Sequence, residues 1–163
     1  MEFPKMRRFK QELSPAECET ILQNGTSGVL ALGGEEYPYA VPMSYVWTEG
    51  KVYFHCARTG EKLRRLEKDG KVSFCVIGQD SVVPEEYTTY YKSVIVFGEL
   101  SVVTDPPERR RAAEKLGRKY APQGTEEALS EELRRFDSAM TILRLTPVHI
   151  TGKQAKELIP AGK

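Results

Sequence analysis

Residues 40–66 read AVPMSYVWTEGKVYFHCARTGEKLRRL, and this stretch decides the fold. Tyr39, Val41, Met43, Tyr45 and Trp47 alternate with Ala40, Pro42, Ser44 and Val46. That is the period of two of a strand with one buried face. Glu49-Gly50 follows as a tight turn, the glycine supplying the positive φ a hairpin needs. On the return strand Val52, Phe54 and Cys56 face one way, and Tyr53 and His55 the other. A helix then begins, with Thr59 as its expected N-cap and Lys62 at its third position. That position ordinarily favours Glu or Gln. A cation there, with Arg58 just before the cap, opposes the helix dipole by about 0.3–1 kcal/mol per charge. The placement makes sense if helix and cations together hold an anion, and phosphate is the expected one.

The whole chain sets bounds on the reading. Its 163 residues suffice for one domain with a full core, expected to span 1–163, and fall short of two. With 40% hydrophobic and 29% charged residues it belongs with ordinary globular proteins. A net charge of +1 gives no global field to recruit nucleic acid or an anionic membrane, and neither is expected as a partner. Cys18, Cys56 and Cys75 are widely spaced, with no CxxC or Cys/His zinc spacing, so no metal is expected. The first residues, MEFPKMRRFKQEL, lack the apolar core of a secretory signal, and no apolar run approaches the ~18 residues of a membrane span. A reducing cytoplasm is the expected compartment.

Outward from the hairpin, residues 1–13 read as an arm or edge strand. Ser14-Pro15-Ala16-Glu17 opens a helix with cap, proline and acid in order, and Asn24-Gly25 closes it. Strands are expected at about 27–32, 39–48, 51–55, 71–77, 90–103 and 141–151, the last interrupted by Pro147. A short helix is expected over 60–68 and a loop over 79–86. Asp105-Pro106-Pro107-Glu108 opens a second capped helix to about Tyr120, and a third covers about 125–136, making 105–136 a helical insertion. Strands joined by short turns, with helices in clusters, predict a mostly β fold with peripheral helices. A six-stranded antiparallel barrel with the helices packed outside is the expected form.

Four local features can carry chemistry. Pro42, within Val41-Pro42-Met43-Ser44, cannot donate to a ladder; it marks an ordinary strand edge, or a break whose free backbone can meet a planar ligand. His55 and Cys56 are strand neighbours that point to opposite faces, so they cannot share a metal. His55 is a half-buried histidine or a proton-carrying group, and Cys56 reads as core. Arg58 through Lys62 is a solvated basic face or a phosphate site. In Tyr90–Gly98, Tyr91, Ser93, Ile95 and Phe97 share one face, and Lys92, Val94 and Val96 the other. There is no GxSxG elbow, no GxGxxG and no GxxxxGK[ST].

The segments SGVLAL, YAVPMSYVWTEGKVYFHCARTGEKLRRL, VSFCVIG and YKSVIVFGEL, in that order, resemble the flavin-binding split-barrel family, which includes the pyridoxamine 5′-phosphate oxidase-like proteins. FHCARTGEK and YKSVIVFGEL are most similar to its nitroimidazole-resistance (Nim-type) branch. The resemblance covers about residues 10–155 and rests on the order of all four segments. It implies a six-stranded split barrel working as a homodimer, with FMN at the subunit interface. By position, Val41, Pro42, Met43 and Ser44 would line the flavin ring. His55, Cys56 and Ala57 would pass beside the flavin, and Arg58 and Lys62 would hold its phosphate. Tyr91, Ser93 and Val94 would contact ring or phosphate, from the partner subunit. His55 would be the catalytic residue.

The implied activity is that of an FMN-dependent oxidoreductase, passing electrons from NAD(P)H to a small organic acceptor such as a nitroimidazole. The tail RLTPVHITGKQAKELIP lacks the Arg/His substrate segment of true pyridoxamine phosphate oxidases, so vitamin B6 oxidation is not expected. Other expectations are an FMN-binding redox or storage module without turnover, haem held by His55 or His149, and a structural role in which Arg58 and Lys62 are surface charge.

Overall fold

The computed structural model describes residues 2–34 and 37–160. After a 3-10 turn at Phe9–Gln11 come α1 (Pro15–Asn24), β1 (Ser27–Leu32), β2 (Tyr39–Ser44), β3 (Val46–Thr48), β4 (Lys51–Ala57) and α2 (Glu61–Leu66). Then follow β5 (Lys71–Val83), β6 (Thr88–Val102), α3 (Pro106–Tyr120), α4 (Glu126–Ala139) and β7 (Met140–Gln154). All pairings are antiparallel, in the order β2-β1-β5-β6-β7-β4-β3.

The two edges of this sheet, β2 and β3, are consecutive pieces of one chain segment separated only by Tyr45. The expected single strand over 39–48 is therefore bent. Its first half pairs with β1, Ser27 opposite Ser44, and its second half with β4, Val46 opposite Tyr53. Counting the bent segment once gives the expected six-stranded barrel, and the sheet curls until one segment bridges its ends. It does not close fully. β2 pairs only with β1, and β4 beyond Tyr53 pairs only with β7, so the two diverge and leave a split.

Three carbonyl contacts and one ring hold the bend at Tyr45. Its ring is fully buried against Phe74, centroids 4.9 Å apart, and its hydroxyl donates to Leu22 O at 2.7 Å. Its amide donates to the Tyr120 hydroxyl at 2.8 Å. Lys119 Nζ, 4.2 Å from the centre of the Tyr45 ring, donates to Tyr45 O at 2.9 Å and Gly25 O at 2.6 Å. Burial lowers the Lys119 pKa from its ordinary value. Gly25 has no alternative, because an added Cβ would lie 2.5 Å from the Tyr45 hydroxyl. The C-terminal turn of α3 thus fastens the place where the strand breaks.

The remaining elements follow their sequence signals. Ser14 and Glu17 form a full capping box, and Asp105 accepts from the Glu108 amide at 2.9 Å. Glu49 and Gly50 both take positive φ, 53° and 69°, in a two-residue turn between Thr48 and its partner Lys51. Inside the barrel lie Leu30, Phe54, Phe74, Val94, Val96, Leu143 and Leu145, with Leu22 of α1 packed among them. Outside, Val46, Tyr53 and Ile142 meet Ala112, Ala113 and Leu116 of α3.

Several expectations need correction. The loop expected over 79–86 is instead the far half of a long hairpin, β5 running to Val83 before a 3-10 turn at Pro84–Glu86. The sequence of that half is polar, and pairing with β6 keeps it a strand. Of the arm or edge strand expected over residues 1–13, the described part is an arm that pairs only through a bridge, Glu12 opposite Lys153, and Met1 lies outside the described residues. β7 begins at Met140 and runs through Pro147, where the β6–β7 register shifts between Phe97 and Gly98. No helix among the described residues is long and apolar enough to cross a membrane.

Lys119→Met keeps the stem and removes the donor to two carbonyls. Urea unfolding should show a loss of roughly 1–3 kcal/mol. Unchanged stability would mean the bend at Tyr45 does not depend on this lysine.

Candidate functional site

Two strand edges face each other across the split. On β2 the side chains of Ala40, Pro42 and Ser44 are exposed, while Met43 packs into the core and Val41 packs against it. Pro42 has no N–H to leave unsatisfied, which suits an edge strand. On β4 Phe54 and Cys56 point into the barrel, and His55 and Ala57 point out. Among the described residues no strand covers the β2-facing edge of His55, Cys56 and Ala57, so their backbone groups on that side are available to a ligand. Ser44 and His55 line one cavity on the outer face.

His55 is the most unusual group there. Its Nδ1 is buried and has no hydrogen-bond partner among the described residues. Its ring meets the edge of Phe136 at 5.4 Å between centroids and 71° between planes. Burial lowers its pKa below the ordinary value, so the ring is neutral at neutral pH. Cys56 lies in the core with its pKa raised by burial, an effect the Lys62 charge partly offsets. Lys62 is thus close enough for its field to reach the thiol.

The helix carrying Lys62 differs from expectation. Gly60, at φ 132°, is the N-cap rather than Thr59, and the helix begins at Glu61. Lys62 is therefore its second residue. The helix also carries its own acid. Arg64 and then Arg65 hydrogen-bond the Glu61 carboxylate and hold its pKa down to about 2. Glu61 satisfies the dipole and the neighbouring arginines. Lys62 makes no side-chain hydrogen bond or ion pair among the described residues. The neighbouring Arg58 donates through Nη2 to Asp137 O at the end of α4, at 3.0 Å. Arg109 donates to the same oxygen at 3.0 Å, to Met140 O at 2.9 Å, and pairs with the Asp137 carboxylate.

The structure does not gather all the predicted residues in one place. His55 pairs with Ile142 of β7, whereas Ser93 pairs with Lys153, eleven residues further along the same strand. At ~3.3 Å per residue that separation is on the order of 30 Å. Tyr91 and Ser93 share the outer face at that distant end, and Val94 points into the barrel core, fully buried. What reaches His55 instead is α4, through Phe136, and α3, through Leu116. Sequence reading missed Phe136. Its signal was present, since Leu129, Leu133 and Phe136 recur at helical spacing on α4, but the pattern does not say what that face covers.

Comparison with known proteins agrees with this geometry. The sequence pattern of the pyridoxamine 5′-phosphate oxidase family matches residues 14–154. No match is found among curated protein sequences. Among solved structures, a conserved hypothetical protein of Mycobacterium tuberculosis is 19% identical with a TM-score of 0.81, covering 98% of this chain and 96% of that one. A candidate 5-nitroimidazole antibiotic resistance protein of Bacteroides thetaiotaomicron is 19% identical with a TM-score of 0.73, covering 88% and 86%. An FAD and haem binding protein of Mycobacterium smegmatis is 18% identical with a TM-score of 0.68, covering 90% and 74%. At these identities the likeness is one of fold.

The depressed pKa of His55 has a consequence for stability. The unfolded chain binds its proton more readily than the folded one, so this contribution is complete above about pH 6.5 and is lost as pH falls toward the folded pKa. Denaturation midpoints should drop as pH falls below about 6.5, and His55→Gln should flatten that slope. An identical slope in the variant would show that His55 is solvated.

Proposed function

We propose that this chain, which belongs to the pyridoxamine 5′-phosphate oxidase family, is an FMN-dependent oxidoreductase acting on a small organic acceptor such as a nitroimidazole. The observation that carries the reading is the split itself. Two diverging strand edges expose backbone donors and acceptors beside a buried, unpaired imidazole nitrogen and an unpaired lysine. A flavin fits this set, with its polar ring edge against backbone and its phosphate against cations. The likeness in fold to the FAD and haem binding protein of Mycobacterium smegmatis supports a flavin as the kind of cofactor.

Lys62 would hold the phosphate as a point charge. Arg58 would join it with its remaining N–H donors, since one goes to Asp137 O. The backbone of Val41–Ser44 on one edge and of His55–Ala57 on the other would clasp the ring. Bound flavin would supply two-electron transfer between NAD(P)H and the acceptor. His55, neutral and with Nδ1 unpaired, would hold or release a proton at that atom beside the ring. Tyr91 and Ser93, too distant to act within one chain, would serve the site of a second copy, so the working form is a homodimer.

The visible spectrum of the purified protein, followed by denaturation and identification of what is released, tests the reading. Flavin absorption with FMN released is expected; a Soret band, or a colourless protein that also ignores added FMN, would overturn it. Lys62→Ala should weaken FMN binding by roughly 1.5–3 kcal/mol, the worth of a hydrogen bond to a charged group. An unchanged dissociation constant would remove Lys62 from the phosphate site. His55→Ala should keep FMN and turn over more slowly, and wild-type rates would exclude His55 from catalysis.

A further inference from the structure

Between α3, α4 and the outer face of β4 lies a cavity of ≈ 410 Å³. Ser44 and His55 form its floor, Leu116 one wall, and Leu129, Leu133 and Phe136 of α4 its roof. We propose that this cavity seats the electron acceptor and selects uncharged ring compounds over phosphorylated ones, an inference that rests on the flavin reading above.

The volume lies in the range of small-molecule sites, roughly 300–1,000 Å³. The roof is apolar, and the Phe136 ring, edge-on to His55, offers a flat partner to another ring. One buried polar atom there lacks a partner, His55 Nδ1, so a ligand with a single hydrogen-bonding group can satisfy it. Charge is confined to the rim. Glu132 and Arg135 are exposed, and Arg135 lies 3.5 Å from Glu131. Neither Arg58 nor Lys62 lines the cavity. A phosphate driven under α4 would lose its water, while the cation at the rim, Arg135, stays exposed and paired with Glu131.

Entry has a physical route. No residue of α4 is fully buried. The helix is tied at its ends, by Arg118 to Glu126 at 2.7 Å and by Arg58 and Arg109 to Asp137 O, while its middle rests on the cavity through half-buried side chains. Swinging that middle aside costs little apolar burial.

Ligand-observed NMR on the protein as purified, with flavin content read from absorbance, tests the proposal. The probes are 2-methyl-5-nitroimidazole and pyridoxamine 5′-phosphate. The nitroimidazole should bind at least tenfold more tightly, and Leu133→Asp should weaken it at least tenfold with flavin content unchanged. Phe136→Leu, which stays apolar and so guards against misfolding of the first variant, should weaken it several-fold. Equal binding of the two probes, or wild-type affinity in Phe136→Leu and in folded Leu133→Asp, would overturn the proposal with the flavin reading intact. Displacement of the probe by added FMN would overturn it too, by making the cavity the seat of the flavin ring. Probe binding with these variant effects in a protein that never takes up flavin would uphold the cavity and remove the flavin reading instead.

Discussion

Everything distinctive in this fold hangs on Tyr45. A strand running straight from Tyr39 to Thr48 could pair with β1 or with β4 along its whole length, and the sheet would be either open or fully closed. The buried Tyr45 ring, its hydroxyl on Leu22 O and its backbone held by Lys119 and Tyr120 force the segment to change partners at one residue. The barrel therefore closes at one end and splits at the other. The cost of the break, a few ladder hydrogen bonds near His55, leaves the backbone groups that a planar polar ligand can use. Stability and function meet at one residue, because the contacts that fix the bend are made by α1 and α3, outside the split.

Much of this was legible in the residues. The alternation of Tyr39–Trp47 and Val52–Cys56, the Glu49-Gly50 turn and the two capped helices are local signals with local causes, and they fixed strands, hairpin and helix starts. The placement of Cys56 in the core followed from the same parity, whereas Val94, expected against the flavin ring or phosphate, is fully buried in the barrel. The bend was not legible, because nothing in YAVPMSYVWT names the carbonyls and hydroxyls that hold it; Lys119 and Tyr120 lie far along the chain. The extension of β5 was hidden for a related reason. Gln79, Asp80 and Ser81 have loop composition and become strand only through β6.

The candidate site divides in the same way. Ser44 beside His55 follows from strand register, and Lys62 near Cys56 follows from the short span between them. Thr59 as a cap failed because glycine at position 60 can take a backbone conformation that shifts the helix start by one residue. Tyr91 and Ser93 share a face, as the alternation implied, yet lie at the far end of β7 from His55. Only the sheet register reveals that distance, and it is what makes a second copy part of the functional proposal. Phe136 completes the picture from α4, a helix whose apolar stripe was evident and whose target was not.

Amide hydrogen exchange at His55, Cys56 and Ala57, followed by NMR with and without added FMN, tests the central claim most directly. The account predicts that amides on the β2-facing edge of β4 exchange quickly in the protein alone and slow at least tenfold with FMN. Amides already protected without FMN, or unaffected by it, would contradict the claim that the split at Tyr45 is what the ligand occupies.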